Sequence, residues 1–372
     1  MPIFLIPIGL VLLFVFEKAI YRKYWNRDLK VKLRFQSEPV VEGDRAILEE
    51  EITNRNFLPL HILQARFQTQ NGLDFIDASN MTITDRTTIN DVFSIRFYEK
   101  LTRKLNIDCK KRGFYTILAT SLSASDLFSR SVQYMELEQH TSMYVYPKYI
   151  SGESFEPVYK QLMGEILSKR RLYEDHFTFR GIREYTVTDP MSDVNWKASA
   201  RTGALKVNLH DHTSGQQVII LLNVEEPAIL FETELIEDCI RLAATIASHM
   251  INEHVPVGLS SNGLDQITGQ RVEIEEGASG GHLITILEAL SRIDLSKEKS
   301  SFPELIESEI YKKNQNATYI IISTSQREEN AIMASRLAAD AGRIMWLLPL
   351  TKSMELKLNN YDNVDFIKVL HE

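Results

Sequence analysis

The stretch QQVIILLNV, residues 216–224, decides how the rest of the chain is read. Its centre, Val218 to Leu222, is apolar without a break. A strand with one wet face alternates apolar and polar side chains, so an unbroken run points to a strand covered on both faces, as in parallel sheets. The residues that follow fit that reading. TELIEDCIRLAATIASHMINEH (233–254) repeats apolar positions at Leu235, Ile236, Cys239, Ile240, Ala243, Ile246, Ala247, Met250 and Ile251, which is helical spacing. VPVGLSS (255–261), ATYIIIST (317–324), RIMWLLP (343–349) and VDFIKVL (364–370) read as further strands. GGHLITILEALSRI (280–293), PELIESEIYKKN (303–314) and ENAIMASRLAADAG (329–342) read as helices. This alternation predicts a doubly wound, Rossmann-like α/β domain over 216–372.

Upstream the period changes. LKVKLRF (29–35) alternates apolar and polar, and AILEEEI (46–52) does so more loosely. VFSIRFY, LNIDC, GFYTILATSLSAS, VQYMELE and SMYVYP continue the series with turn residues between them. Short strands at this spacing predict an antiparallel β-sandwich over 26–150. FEPVYKQLMGEILSKRRL (155–172) then reads as a helix ending in a basic cluster.

The first residues, PIFLIPIGLVLLFVF (2–16), carry no charge. Extended through Tyr21, with Lys18 reaching back to the surface, the segment is long enough to cross a bilayer. Tyr21, Tyr24 and Trp25 would form the aromatic belt. A signal peptide would need a basic start and a small-residue cleavage site, and neither is present. Lys18, Arg22, Lys23, Arg27, Lys30, Lys32 and Arg34 follow, which by the positive-inside rule keeps the remainder in the cytoplasm. The expectation is a transmembrane helix within 1–25 and a single-pass protein of the cell membrane.

At 372 residues the chain exceeds one ordinary core, so two or three domains are expected. A composition 44% hydrophobic and 25% charged is that of a folded protein. The net charge of −8 argues against a general nucleic-acid binder. The two cysteines, Cys109 and Cys239, make no disulfide framework and suit a reducing compartment.

Between the two regions, residues 151–215 hold the segment FRGIREYTVTDPMSDVNWKASARTGALKV (179–207). Gly181, Arg183, Glu184, Tyr185, Asp189, Val194, Trp196, Lys197, Ser199, Ala200, Arg201, Gly203, Leu205 and Val207 match the pattern G-x-R-E-Y-x-x-G-D, a gap, then I-x-W-K-x-S-A-R-x-G-x-L-x-V. That pattern resembles the signature of the family called domain of unknown function 58. Arg112, Gly113, Tyr115, Asp126 and Phe128 match that family's R-G-x-Y stretch and D-x-F turn. The resemblance implies a membrane segment, a β-sandwich and a von Willebrand factor A-like domain. It also implies a MoxR-type AAA+ ATPase as partner, in protein assembly or maturation, with no established catalysis. Thr188 stands where the family has glycine, the arginines of the gap are absent, and one membrane segment replaces two.

A metal-ion-dependent adhesion site at the end of the first parallel strand would read D-x-S-x-S, supplying oxygen ligands to Mg²⁺. Here the residues are Asn223, Val224, Glu225, Glu226 and Pro227, and the neighbouring strand end is Ser323, Thr324, Ser325. Asn223, Glu225 and Ser323 are therefore degenerate metal positions, and neither metal nor cofactor is expected. Arg183, Glu184, Asp189, Lys197 and Arg201 allow two readings. They are paired charges and docking groups around a Trp196 that plugs a domain joint, or they are acid, base and anion ligands of an enzyme acting on an anionic or envelope-related substrate. Ser199 has no neighbouring histidine to activate it. His210 and His212 would share one face of a strand, half a metal site at most. EEGASGGH (275–282) lacks the Lys-Ser/Thr of a phosphate loop. The favoured reading is a membrane-anchored, non-enzymatic scaffold that docks a protein partner through 183–203 and the strand-end rim.

Overall fold

The structure, a computed structural model, describes residues 5–36, 39–76, 80–126, 131–150, 155–173, 179–186, 189, 191, 194–210, 217–225, 233–314, 317–352, 354–358 and 361–370. The chain divides into two compact units, Met1–Tyr146 and Pro147–Glu372.

In the first unit, helix α1 (Leu5–Tyr24) leads into ten strands. These are β1 (Leu29–Phe35), β2 (Val40–Val41), β3 (Arg45–Asn54), β4 (Leu60–Thr69), β5 (Leu73–Phe75), β6 (Met81–Ile83), β7 (Thr87–Ile95), β8 (Lys100–Cys109), β9 (Gly113–Ser125) and β10 (Val132–Tyr146). One sheet runs β1-β3-β8-β5 and the other β2-β10-β9-β4-β7-β6, antiparallel throughout except where β2 lies parallel to β10. Alternation drives the packing: in β1 and β7 every second residue is buried. Two apolar clusters fill the interior, one around Leu48, Phe67, Phe75 and Ile107, the other around Ile52, Leu60, Leu63 and Ile95. A register shift in β10 between Glu138 and Thr141 aims Gln139 at strand β1, where it accepts from the Leu33 N–H and donates to the Val31 carbonyl.

The expected transmembrane anchor is corrected. Among the described residues no helix is long and apolar enough to cross a membrane. The apolar part of α1 ends at Phe16, about 18 Å of helix against about 30 Å of hydrocarbon, and Glu17, Lys18, Arg22 and Lys23 occupy its last turns. Tyr21 and Trp25 form no interfacial belt. They are buried in the sandwich core beside Leu60 and Ile95, and the Tyr21 hydroxyl donates to the Pro59 carbonyl. The single-pass localisation, with its cytoplasmic body, rested on that span and falls with it.

The second unit comprises α2 (Glu156–Tyr173), β11 (Phe179–Glu184), α3 (Trp196–Thr202), β12 (Lys206–His210), β13 (Gln217–Leu222), α4 (Thr233–Asn252), β14 (Val257–Leu264), β15 (Arg271–Gly277), α5 (Gly280–Arg292), α6 (Phe302–Lys312), β16 (Ala317–Ile322), α7 (Glu328–Ala341), β17 (Ile344–Leu350) and β18 (Val364–Leu370). Its main sheet has the order β15-β14-β13-β16-β17-β18. The apolar run read at 216–224 forms β13, buried from Val218 onward and paired in parallel with β14 and β16. Helices α6 and α7 bury Phe302, Leu305, Ala334 and Leu337 against Ile219, Ile321 and Trp346.

The fold-class expectation of a membrane helix, a sandwich and a Rossmann-like α/β domain is also corrected. Among the described residues strand outweighs helix, 43% against 30%, and the strands form four sheets. The C-terminal sheet is mixed, because β15 runs antiparallel to β14. RVEIEEG (271–277), an alternating edge strand set between β14 and α5, is what the expectation of a doubly wound parallel sheet leaves out.

Inside the sandwich, Glu50 of β3 points inward between Leu48 and Ile52 and is fully buried. Among the described residues neither of its carboxylate oxygens has a hydrogen-bond partner, and one oxygen of the buried Asp91 likewise has no hydrogen bond. Arg103 pairs with Asp91 at 2.7 Å. Burial first, and then the Asp91 charge, push the Glu50 carboxyl up to about 7. A raised carboxyl binds its proton more tightly in the folded state. This contribution is therefore complete below the ordinary carboxylate range and is lost as pH rises toward 7, a change on the order of 3 kcal/mol. Glu50→Gln should flatten this part of the stability profile and stabilise the protein at pH 8. Urea unfolding of both proteins from about pH 4 to 8 reads the difference, and parallel profiles would refute it.

Candidate functional site

The signature segment folds as a small β-hairpin carrying a helix. Strands β11 and β12 pair antiparallel, with Arg183 opposite Val207 and Glu184 opposite Lys206. Between them Asn195 caps α3, its side chain accepting from the Ala198 N–H, and Gly203 ends the helix at φ 72°, where a side chain would be strained. The buried Ser199 hydroxyl locks helix to strand. It donates to the Asn195 carbonyl and accepts from the Lys206 N–H, both at 2.8 Å. Ser199 is thus a structural hydroxyl, occupied in both roles.

Two pairs of the segment's charges are matched. Arg183 grips Asp189 with two parallel bonds of 2.6 and 2.5 Å, and Thr186 adds its N–H and hydroxyl to the same carboxylate. Chiefly the Arg183 bonds hold the Asp189 carboxyl down at about 2. Glu184 meets Lys206 at 3.0 Å across the hairpin. Tyr185 is half-buried and donates its backbone N–H to Leu205. Trp196 is 63% exposed, with Lys197 and Arg201 exposed on the same short helix. Within this segment Trp196 leaves the packing to Ser199, Val194 and Val207.

The strand-end positions are also occupied, by one another. Asn223 donates to the Ser323 hydroxyl and accepts from Asn262 and from the Glu225 N–H, each at 2.9 Å. Asn262 accepts from the Val224 N–H and donates to the Ser300 carbonyl. Ser325 donates its N–H to the Ser323 hydroxyl, and Asn330 donates to the Ser325 hydroxyl. Glu225 takes the Phe302 N–H at the start of α6, where Ser301 makes no side-chain cap, and lies 3.6 Å from Arg327 at the start of α7. Asn223 and Ser323, two of the positions that a metal site would fill with free oxygens, are knitted into an amide and hydroxyl network, and the Glu225 carboxylate beside them engages the two helix starts. Among the described residues no group of three His, Cys, Asp or Glu could hold a metal. Glu226, Pro227, Thr188, Phe128 and His212 lie outside the described residues, as does the side chain of His210.

The sequence reading missed Asn262, Asn330, Thr186 and Lys206. A signal existed for Asn262: it follows the buried run VGLSS, where a polar residue at a strand end has to be paired. Two residues of EEGASGGH have structural duties. Ser279 caps α5, and His282 lies over Gly277 so closely that a Cβ there would come within 2.6 Å of the ring. Both thiols are buried and held protonated by that burial, Cys109 up to about 11.

No family model and no curated protein matches the chain. Among solved structures it is similar to the major pilin subunit BcpA of Bacillus cereus, at 8% identity and TM-score 0.24, over 33% of this chain and 41% of that one. It is similar also to the major pilin SpaD of Corynebacterium diphtheriae, at 8% identity and TM-score 0.24, over 31% and 34%. A non-cellulosomal cohesin of Archaeoglobus fulgidus aligns at 12% identity and TM-score 0.20, over 35% of this chain and 97% of that one. The chain thus spans less than half of either pilin, and likenesses this remote assign it no function.

Two outcomes are expected. Asn262→Ala should lower stability by roughly 1–3 kcal/mol, because it strands the buried Val224 N–H and leaves the Asn223 side-chain oxygen with the Glu225 N–H as its remaining donor; denaturant unfolding measures this, and a loss below about 0.5 kcal/mol would contradict the network. For Asp189, a depressed carboxyl stabilises above its ordinary range and loses that contribution as pH falls toward 2. Arg183→Ala should raise the Asp189 midpoint toward the normal carboxylate value, read by NMR titration of its carboxyl carbon.

Proposed function

We propose that the chain is a non-enzymatic interaction protein and that α3 is its docking element, with Trp196 as anchor and Lys197 and Arg201 as its charged flank. The observation that carries this is the exposed indole on a helix locked from beneath. Leaving a Trp side chain in water forgoes on the order of 2–3 kcal/mol of burial. Trp and Arg are the residue types that concentrate binding energy at protein interfaces. The hairpin supports such a role, since the Ser199, Asn195 and Arg183–Asp189 bonds hold the helix in one orientation before any partner arrives.

The partner implied by the signature is a MoxR-type AAA+ ATPase, and the work is assembly or maturation of other proteins. The reading as an enzyme on anionic substrates is the weaker one. Asp189 is consumed by Arg183 and Thr186, Glu184 faces Lys206, and the Ser199 hydroxyl has both of its roles filled. Co-purification of the tagged chain with a co-expressed MoxR-type ATPase tests the proposal. Trp196→Ala should cut capture roughly ten-fold or more, and Trp196→Phe by less. Undiminished capture by a folded Trp196→Ala protein sinks it.

A further inference from the structure

Helices α6 and α7 pack side by side, and their N-terminal halves border a groove of about 600 Å³. Its apolar surface comes from Ile332, which is 43% exposed, and from Met333 and Pro303. Its walls carry Glu304 and Glu307 of α6 and Glu328 and Glu329 of α7, all exposed, while Arg336 stands alone among them as a cation. None of these four carboxylates has an ion-pair partner among the described residues. Several other helix carboxylates of the same unit are paired: Asp238 meets Arg241, Glu288 meets Arg292 and Glu309 meets Lys312.

Helix dipoles explain part of the pattern, since Glu304, Glu328 and Glu329 lie in first turns where negative charge is favourable. They do not explain Glu307, further along α6, nor an isoleucine left in water between two glutamate-bearing walls. Glu225 fixes the geometry of this region, bonding the α6 N-terminus with one oxygen and approaching Arg327 with the other. The groove is thus bordered by two helix starts that a single carboxylate ties together.

We infer that this groove is a docking site for a basic amphipathic helix of a protein partner, whose Lys and Arg side chains meet the four glutamates while an apolar side chain covers Ile332 and Met333. Charge complementarity selects that occupant: a neutral or acidic segment would leave four unpaired carboxylates against it. The groove does not involve α3, so this inference stands or falls apart from the docking role of Trp196.

A fluorescein-labelled amphipathic peptide of Lys and Leu, with an otherwise identical Glu and Leu peptide as control, probes the full-length protein by anisotropy. The basic peptide should bind saturably and the acidic one should not. Replacing Glu304, Glu307, Glu328 and Glu329 together by Gln should weaken binding roughly ten-fold. A matched variant with Glu136→Gln, Glu138→Gln, Glu298→Gln and Asp340→Asn, equal in net charge, should bind as the unmodified protein does. Ile332→Ser should weaken binding roughly three-fold or more at high salt, where the apolar contact dominates. Thermal melts establish that each variant is folded. Equal losses in the two charge-reduced proteins, or no effect of Ile332→Ser, would overturn the assignment, and so would unchanged binding by the groove variant.

Discussion

The side-chain amide of Asn223 is the bond on which the C-terminal unit depends. β13, β14 and β16 end side by side, and each end would present polar groups to a buried rim. Asn223 joins them, bonding Ser323 of the β16 end and Asn262 of β14, and its oxygen also holds the backbone as it turns toward Glu225. An aspartate at the same place would bring a negative charge into a fully buried position, and it would then require a cation. The amide supplies donor and acceptor in one group and needs no ion. Glu225 carries the arrangement outward by engaging the starts of both α6 and α7, so the rim, the helices and the groove between them form one mechanical assembly.

Much of the local structure was legible. LKVKLRF and VDFIKVL form strands over the residues read, and the helical repeat at 233–254 is α4 to within two residues. Period alone suffices where the burial pattern is simple. It falls short at RVEIEEG, whose alternation marks an edge strand, and at the N-terminus, where extending the apolar run across Glu17 and Lys18 to Tyr21 overstates the apolar length. Tyr21 and Trp25 fit an interfacial belt in sequence because aromatic residues near charged ones look alike at a bilayer surface and at the lip of a protein core; only the strands they pack on distinguish the two.

The candidate site was legible as a set of residues and not as an arrangement. Residues 183–203 were singled out by composition, yet composition does not pair charges. That Arg183 takes Asp189 while Glu184 takes Lys206 follows from the hairpin register, in which Glu184 and Lys206 stand opposite each other. The exposure of Trp196 had no sequence signal, since an indole among charged residues serves equally as plug or as anchor. What the hairpin register and the cap at Asn195 do fix is the side of α3 that carries Ser199, which they turn inward.

The Gln139 side chain of β10 has a consequence for how the sandwich behaves among its own copies. Strand β1 is an edge, and its outward backbone groups at Val31 and Leu33 would otherwise be free to pair with any passing strand. Gln139 mimics a peptide unit and fills both positions, and Thr141 fills the next by accepting from the Phe35 N–H. An incoming chain would have to displace these bonds before forming any of its own. A one-residue irregularity in β10 thus acts as a gatekeeper against strand exchange and fibre growth at this edge of the sheet.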